Sequence, residues 1–185
     1  GTATEKSIEL YALWKELPEP HVPAKTITVA ATNSTALYDG KFHSHTPVLT
    51  VNYYEDGDLV RQLSSSEYTI ASGSDESVGG TNAGPYTGGI TVTLNDDAQV
   101  TASTSYTLTI TKRTVTLTSA TDSKQYDGTP LTNHNVTVSG DGFATGEGST
   151  YNVTGSQTAV GQSLNEFTYS LQANTLASNY TITTV

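Results

Sequence analysis

Apolar residues in this chain recur at every second position, in one short run after another, with threonine filling many of the places between. Ile27 and Val29 alternate in this way, as do Leu49, Val51 and Tyr53; Ile90, Val92 and Leu94; and Tyr106, Leu108 and Ile110. The pattern continues at Val115 and Leu117, at Val136 and Val138, at Phe167, Tyr169 and Leu171, and at Tyr180 and Ile182. Successive side chains of a strand point to opposite faces, so a period of two predicts strands with one buried face. Turn formers separate the runs, among them Glu55-Asp-Gly-Asp58, Gly79-Gly-Thr-Asn82, Asn95-Asp-Asp97, Gly140-Asp-Gly142 and Gly146-Glu-Gly148. The expected class is all-β. Ile8 to Leu17 fits a helical stripe through Leu10, Leu13, Trp14 and Leu17 as well as it fits an alternating strand. We read it as a leader strand. The prolines of Glu16-Leu-Pro-Glu-Pro-His-Val-Pro23 then break pairing and stiffen the connection.

The chain also repeats itself. Thr26-Ile-Thr-Val29 matches Thr114-Val-Thr-Leu117, Tyr38-Asp-Gly40 matches Tyr126-Asp-Gly128, and Ser105-Tyr-Thr-Leu-Thr-Ile110 matches Asn179-Tyr-Thr-Ile-Thr-Thr184. Repetition of a whole unit predicts a tandem array. The end copies lie closer together than the start copies, so the first unit carries extra loop residues. Between Ile110 and Val115 the apolar positions change from even to odd numbers, which reverses every side chain. We read Thr111 to Thr114 as the junction where the chain passes from one core to the next. The expected organisation is a leader strand and Pro-rich linker over 1–23, a first module over 24–112 and a second over 113–185.

The Tyr-Asp-Gly triplets redirect the chain after the first strand of each unit. Gly40 and Gly128 can take positive φ, which costs other residues roughly 1 to 2 kcal/mol. Asp39 and Asp127 can accept hydrogen bonds from nearby N–H groups, and the rings of Tyr38 and Tyr126 are expected to cover a core end. These six residues read as structural turn residues. A recognition loop is the other place where the sequence stands out: Gly73 to Gly89 is glycine-rich, with Asn82 and with Tyr86 available for stacking.

Composition narrows the function classes. A net charge of -10 with eight basic residues argues against nucleic acid or an anionic membrane as partner, since both need clustered cations. Cysteine and methionine are absent, so disulfides, thiolate metal sites and cysteine nucleophiles are excluded, and an extracellular setting fits. No apolar run is long enough to span a bilayer, and we expect no membrane insertion of this segment. The chain begins without an initiator Met and stops inside a strand pattern, as a piece of something longer would. His43 and His45 share a strand face, but His21 and His134 do not complete a ligand set. The acidic turns Asp56-Gly-Asp58 and Asp96-Asp97 lack the ordered ligand spacing of an EF-hand. No nucleophile elbow, carboxylate pair or phosphate-cradling loop can be nominated. We expect no enzyme, metal or cofactor. Four Asn-x-Ser/Thr sites, at Asn33, Asn135, Asn152 and Asn179, follow from the Thr- and Ser-rich composition.

The order of strand, Tyr-Asp-Gly, Val-Gly segment and terminal Asn-Tyr-Thr-Ile strand resembles the YDG or MBG-type repeats of bacterial surface proteins and adhesins. The second unit carries it in Lys124-Gln-Tyr-Asp-Gly-Thr-Pro130, Ala159-Val-Gly161, Asn165-Glu-Phe-Thr-Tyr169 and Ala177-Ser-Asn-Tyr-Thr-Ile182, and the first in Asn82-Ala-Gly-Pro-Tyr-Thr87. Ile8-Glu-Leu-Tyr-Ala-Leu-Trp-Lys15 is similar to the last strand of Listeria-Bacteroides type repeats. The resemblance implies two tandem Ig-like or related β-sandwich modules. It implies a non-catalytic stalk segment of an adhesin at the bacterial cell surface or wall, monomeric, with neighbouring repeat modules as its partners. The family's following Gly-Thr-Leu-Thr-Val type strand has no counterpart here, so the second module is expected to lack its last strand and leave an edge open. The alternative expectation is a module that binds a host glycan or protein through the Gly73 to Gly89 loop, or an accessory domain of a surface enzyme.

Overall fold

The computed structural model describes Gly1 and residues 19–185. The leader strand expected over Ile8 to Leu17 lies outside the described residues. The first unit contains strands β1 (Lys25–Ala31), β2 (Ser34–Leu37), β3 (His43–His45), β4 (Leu49–Glu55), β5 (Asp58–Gln62), β6 (Tyr68–Ile70), β7 (Val78–Gly80), β8 (Gly84–Leu94) and β9 (Asp97–Thr111). The second contains β10 (Arg113–Ser119), β11 (Val136–Gly140), β12 (Ser149–Val153), β13 (Phe167–Leu171) and β14 (Tyr180–Thr184). A single 3-10 turn, Ala177–Asn179, precedes β14. No helix among the described residues is long and apolar enough to cross a membrane.

Alternation translates directly into layers. In β8, Ile90, Val92 and Leu94 are buried while the threonines between them face outward, and β9 does the same with Tyr106, Leu108 and Ile110. β8 and β9 form a long antiparallel hairpin, flanked by β6 on one side and β2 on the other in the order β2-β9-β8-β6. A second sheet, β1-β4-β5, turns Ile27, Val51 and Tyr53 toward it. These side chains and Leu63 form the first apolar cluster between the two sheets. Fully burying one such Val, Leu or Ile contributes about 1.5–3 kcal/mol, so the facing of these two sheets is strongly specified. The β4–β5 turn is made by Asp56 and Gly57, with φ of 52° and 91°, the positive pair that matches the strand twist of a tight hairpin.

Both units close in the same way. The opening strand pairs antiparallel with a later strand, β1 with β4 and β10 with β11, and the opening segment pairs in parallel with the last strand. In the first unit the parallel partners are β2 and β9, with Ser34 opposite Leu108 and Leu37 opposite Thr111. In the second they are β10 and β14, with Arg113 opposite Tyr180 and Leu117 opposite Thr184. A parallel pair requires a long crossover, and here everything between the first and last strands of the unit supplies it. The units differ in how the opening segment is used. In the first it is divided into β1 and β2, whereas in the second β10 alone takes both pairings, and the counterpart of β2, 122–125, is not a strand.

The junction differs from expectation. β9 ends at Thr111 and β10 begins at Arg113, so the phase change is absorbed at Lys112. Ile110 and Val115 nevertheless enter the same apolar cluster, which joins Tyr38, Leu108 and Ile110 of the first unit to Val115, Leu117, Ala144 and Tyr180 of the second. Residues on both sides of the reversal therefore contribute to one apolar cluster. The second unit depends on that sharing, because its own inward faces are incomplete. Val138 and Tyr169, which alternation assigns to a buried face, are 43% and 37% exposed. The physical reason is the small covering layer: β11 is an edge strand and β12–β13 is a two-stranded ribbon.

Candidate functional site

The two Tyr-Asp-Gly turns have the same backbone and different surroundings. Gly40 and Gly128 both have φ of 80°. Asp39 Oδ1 accepts from the Lys41 N–H at 2.9 Å, and Asp127 Oδ1 accepts from the Thr129 N–H at 2.9 Å. An aspartate accepting from the N–H two residues on imitates a backbone turn and fixes the corner. Each carboxylate has a second local partner, the His43 ring at 2.8 Å for Asp39 and the Lys124 ammonium at 2.9 Å for Asp127. The pKa of Asp39 is lowered, first by the Lys41 N–H and then by His43; that of Asp127 is lowered, first by the Thr129 hydroxyl and then by Lys124. The rings part company. Tyr38 is 4% exposed, whereas Tyr126 is 64% exposed, which corrects the expectation that both cover a core end. The cause is the neighbour: the second unit packs on Tyr38.

That packing forms a polar and aromatic seam. The Tyr38 hydroxyl donates to Glu147 Oε1 at 2.5 Å, and the Tyr180 hydroxyl donates to Glu147 Oε2 at 2.7 Å. One carboxylate therefore holds a tyrosine from each unit. The two rings meet edge to face, centroids 5.6 Å apart, and Phe143 adds a second such contact to Tyr180 at 5.2 Å. The Tyr180 oxygen also accepts from the Ala144 N–H at 3.0 Å, so its position is fixed from two sides. Burial, more than any other cause, raises the Tyr38 hydroxyl and pushes Tyr180 up to about 12. Both phenols stay protonated and act as donors to the acceptor-only carboxylate.

Two further clamps flank it. Asn179 is fully buried; its Oδ1 accepts from the Ala83 N–H at 2.8 Å and its Nδ2 donates to Asn82 Oδ1 at 3.1 Å. Arg113 donates from Nε to the Gly142 carbonyl at 2.7 Å, from Nη1 to the Tyr38 carbonyl at 3.2 Å, and from Nη2 to the Asp141 carbonyl. Asp141 in turn accepts the N–H and the hydroxyl of Thr114, which lower its pKa. The planar guanidinium, with several fixed donors, ties the first unit's turn to the second unit's 141–142 corner.

The expected ligand loop is largely used up by this arrangement. Within Gly73 to Gly89, Val78–Gly80 pairs with His43–His45 as β3–β7, and 84–89 belong to the β8–β9 hairpin. Tyr86 lies against Gly80, where a Cβ would stand 2.0 Å from its ring, donates its hydroxyl to the Asn82 carbonyl at 2.9 Å and packs on the shared cluster. It is not a free stacking platform, and Asn82 faces Asn179. A shallow hollow of about 370 Å³ at Gly73, Ser74 and Asp75 includes neither of them. The Asp75 carboxylate there accepts from the Gly89 N–H, and its carbonyl accepts from the Tyr106 hydroxyl.

The histidines are structural as well: His43 meets Asp39, and the His45 ring bonds the Thr32 carbonyl at 2.7 Å. Of the glycosylation sequons, Asn179 is inaccessible. Sequence reasoning missed Glu147 as the hinge pin and treated Gly146-Glu-Gly148 only as a turn. No sequence signal marks it, because its two tyrosines lie 109 and 33 residues away. Family models, curated proteins and solved structures were each compared with the chain, and none matches.

Proposed function

We propose that this chain is a non-catalytic spacer: two Ig-like or related β-sandwich units of the YDG or MBG type, in a stalk of a bacterial cell-surface adhesin that projects a binding region. The observation that carries this reading is the seam. Tyr38, Glu147 and Tyr180, with Asn179 and Arg113 beside them, join the units through fixed side-chain bonds. Direct fusion of strands through Lys112 leaves no flexible connection. A spacer must hold the direction of one unit against the next, and charge-assisted bonds across a small apolar cluster provide that stiffness. The -10 net charge keeps such a surface solvated and unassociated. Small-angle scattering tests the reading. A spacer gives a radius of gyration well above the roughly 16 Å of a single globule of this length. A value near that of the globule refutes it.

A further inference from the structure

The seam uses one defined surface of the first unit: the turn tyrosine, the apolar end of the closing strand, and the Ala83-Gly84 corner. The repeat gives each a counterpart on the second unit. Tyr126 answers to Tyr38; Ile182 answers to Leu108 but already packs on the shared cluster and does not reach the cleft beside Tyr126. Val160-Gly161 answers to Ala83-Gly84, and the two glycines share a φ of 148°. On the first unit these groups are covered. On the second, Tyr126 is 64% exposed and Val160 83%, and two apolar neighbours outside the correspondence, Leu164 at 81% and Val185 at 68%, stand beside them. All four line a single cleft of about 670 Å³. An apolar set gathered into one cleft, on a chain with a charged and polar surface, marks a contact site.

We propose that this cleft seats a further unit of the same repeat, one that opens with a strand like β10 and carries counterparts of Glu147 and Asn179. The occupant follows from continuity with the seam: the turn tyrosine and the corner that ends in a glycine with φ of 148° both recur at the second cleft without their cover. The incoming carboxylate accepts from the Tyr126 hydroxyl, and the incoming asparagine takes the backbone at Val160 as Asn179 takes Ala83. An anionic ligand is disfavoured, because Lys124, the lysine of this cleft, is already held by Asp127, the Thr129 hydroxyl and the Pro130 carbonyl. The inference rests on the spacer reading and names its partner surface.

The test is the full chain extended after Val185 by a second copy of 112–185. Peptide-resolved nitration of Tyr126 by tetranitromethane is compared with that in the original chain. Seating lowers Tyr126 reactivity at least about tenfold and slows amide exchange over 118–126 and 155–165. Val160→Asp in the extended chain restores the reactivity, and Glu147→Gln in the added copy restores part of it. Equal nitration of Tyr126 in both chains overturns the proposal. So does an added copy whose amides exchange as an unfolded chain, since the second unit's core needs a seat to form. Dimerisation of the original chain with Tyr126 protected also overturns it, by making a second copy of the chain the occupant. Scattering separates the two readings: an elongated original chain with unprotected Tyr126 sinks the docking alone, whereas a globular one sinks the spacer whatever Tyr126 does.

Discussion

Tyr38 and Tyr126 are the same residue of the same repeated turn, yet only Tyr38 is expected to lose stability with its hydroxyl. Tyr38→Phe removes the donor to Glu147 Oε1 and leaves the buried ring and its edge contact with Tyr180 in place. A hydrogen bond to a charged group is worth about 1.5–3 kcal/mol, and a buried acceptor left short adds to the loss. Glu147 retains the Tyr180 hydroxyl at 2.7 Å, so the lower end applies, about 1.5 kcal/mol. With a urea slope of about 2 kcal/mol/M, the midpoint falls by about 0.75 M. The assay is urea unfolding followed by tyrosine circular dichroism in the near ultraviolet, which reports the packed rings of the seam. Tyr126→Phe is the internal control and leaves the midpoint unchanged, because its ring is exposed. Glu147→Gln combined with Tyr38→Phe should show coupling, the double variant losing less than the sum of the singles. Equal midpoints for Tyr38→Phe and Tyr126→Phe would refute the claim that Glu147 holds the units together.

Two further outcomes are expected. Tyr53, chiefly through its bond to Glu55, and Tyr180, chiefly through burial, are each pushed up to about 12 from an ordinary value of 10.0. A raised folded-state value means their contribution to stability is complete below pH 10.0 and lost as the pH rises toward about 12. Ultraviolet titration should therefore show these two phenolates appearing near pH 12, and their ionisation near pH 10.0 with strand circular dichroism intact would contradict it. Asn179→Leu fills similar space but strands the Ala83 N–H, at a cost of about 1–3 kcal/mol, and amide exchange at Ala83 should accelerate while exchange in β1 and β4 holds. Unchanged exchange at Ala83 would count against the clamp.

The runs in β1, β4, β8 and β9 were legible in the sequence as strands because each is half-covered, so threonine and apolar residues sort cleanly by face, whereas their pairing was not. β3 and β7 were not. Their pairing rests on Gly79, where a Cβ would stand 2.6 Å from the His43 carbonyl oxygen, and closeness of backbones leaves no periodic trace. β5 is exposed along its whole length and carries no burial signal either. The turn chemistry of Asp39 and Asp127 was readable because it is local, an acceptor two residues from its donor. The seam was not, since Glu147 reaches Tyr38 and Asn179 reaches Ala83 across most of the chain. Identical triplets could not reveal that one tyrosine would be covered and the other bare, because the covering comes from the neighbouring unit and not from the turn itself.

The parallel pairing of each unit's opening segment with its last strand sets how the chain bears tension. A pull applied at Arg113 and Thr184 draws β10 and β14 past each other along their length, and tension that reaches β2 does the same to β2 and β9, so the evenly spaced hydrogen bonds of each parallel pair are loaded together and not unzipped one by one. Rupture then needs several bonds to fail at once. The same two pairings that close each unit make it a shear-resistant link.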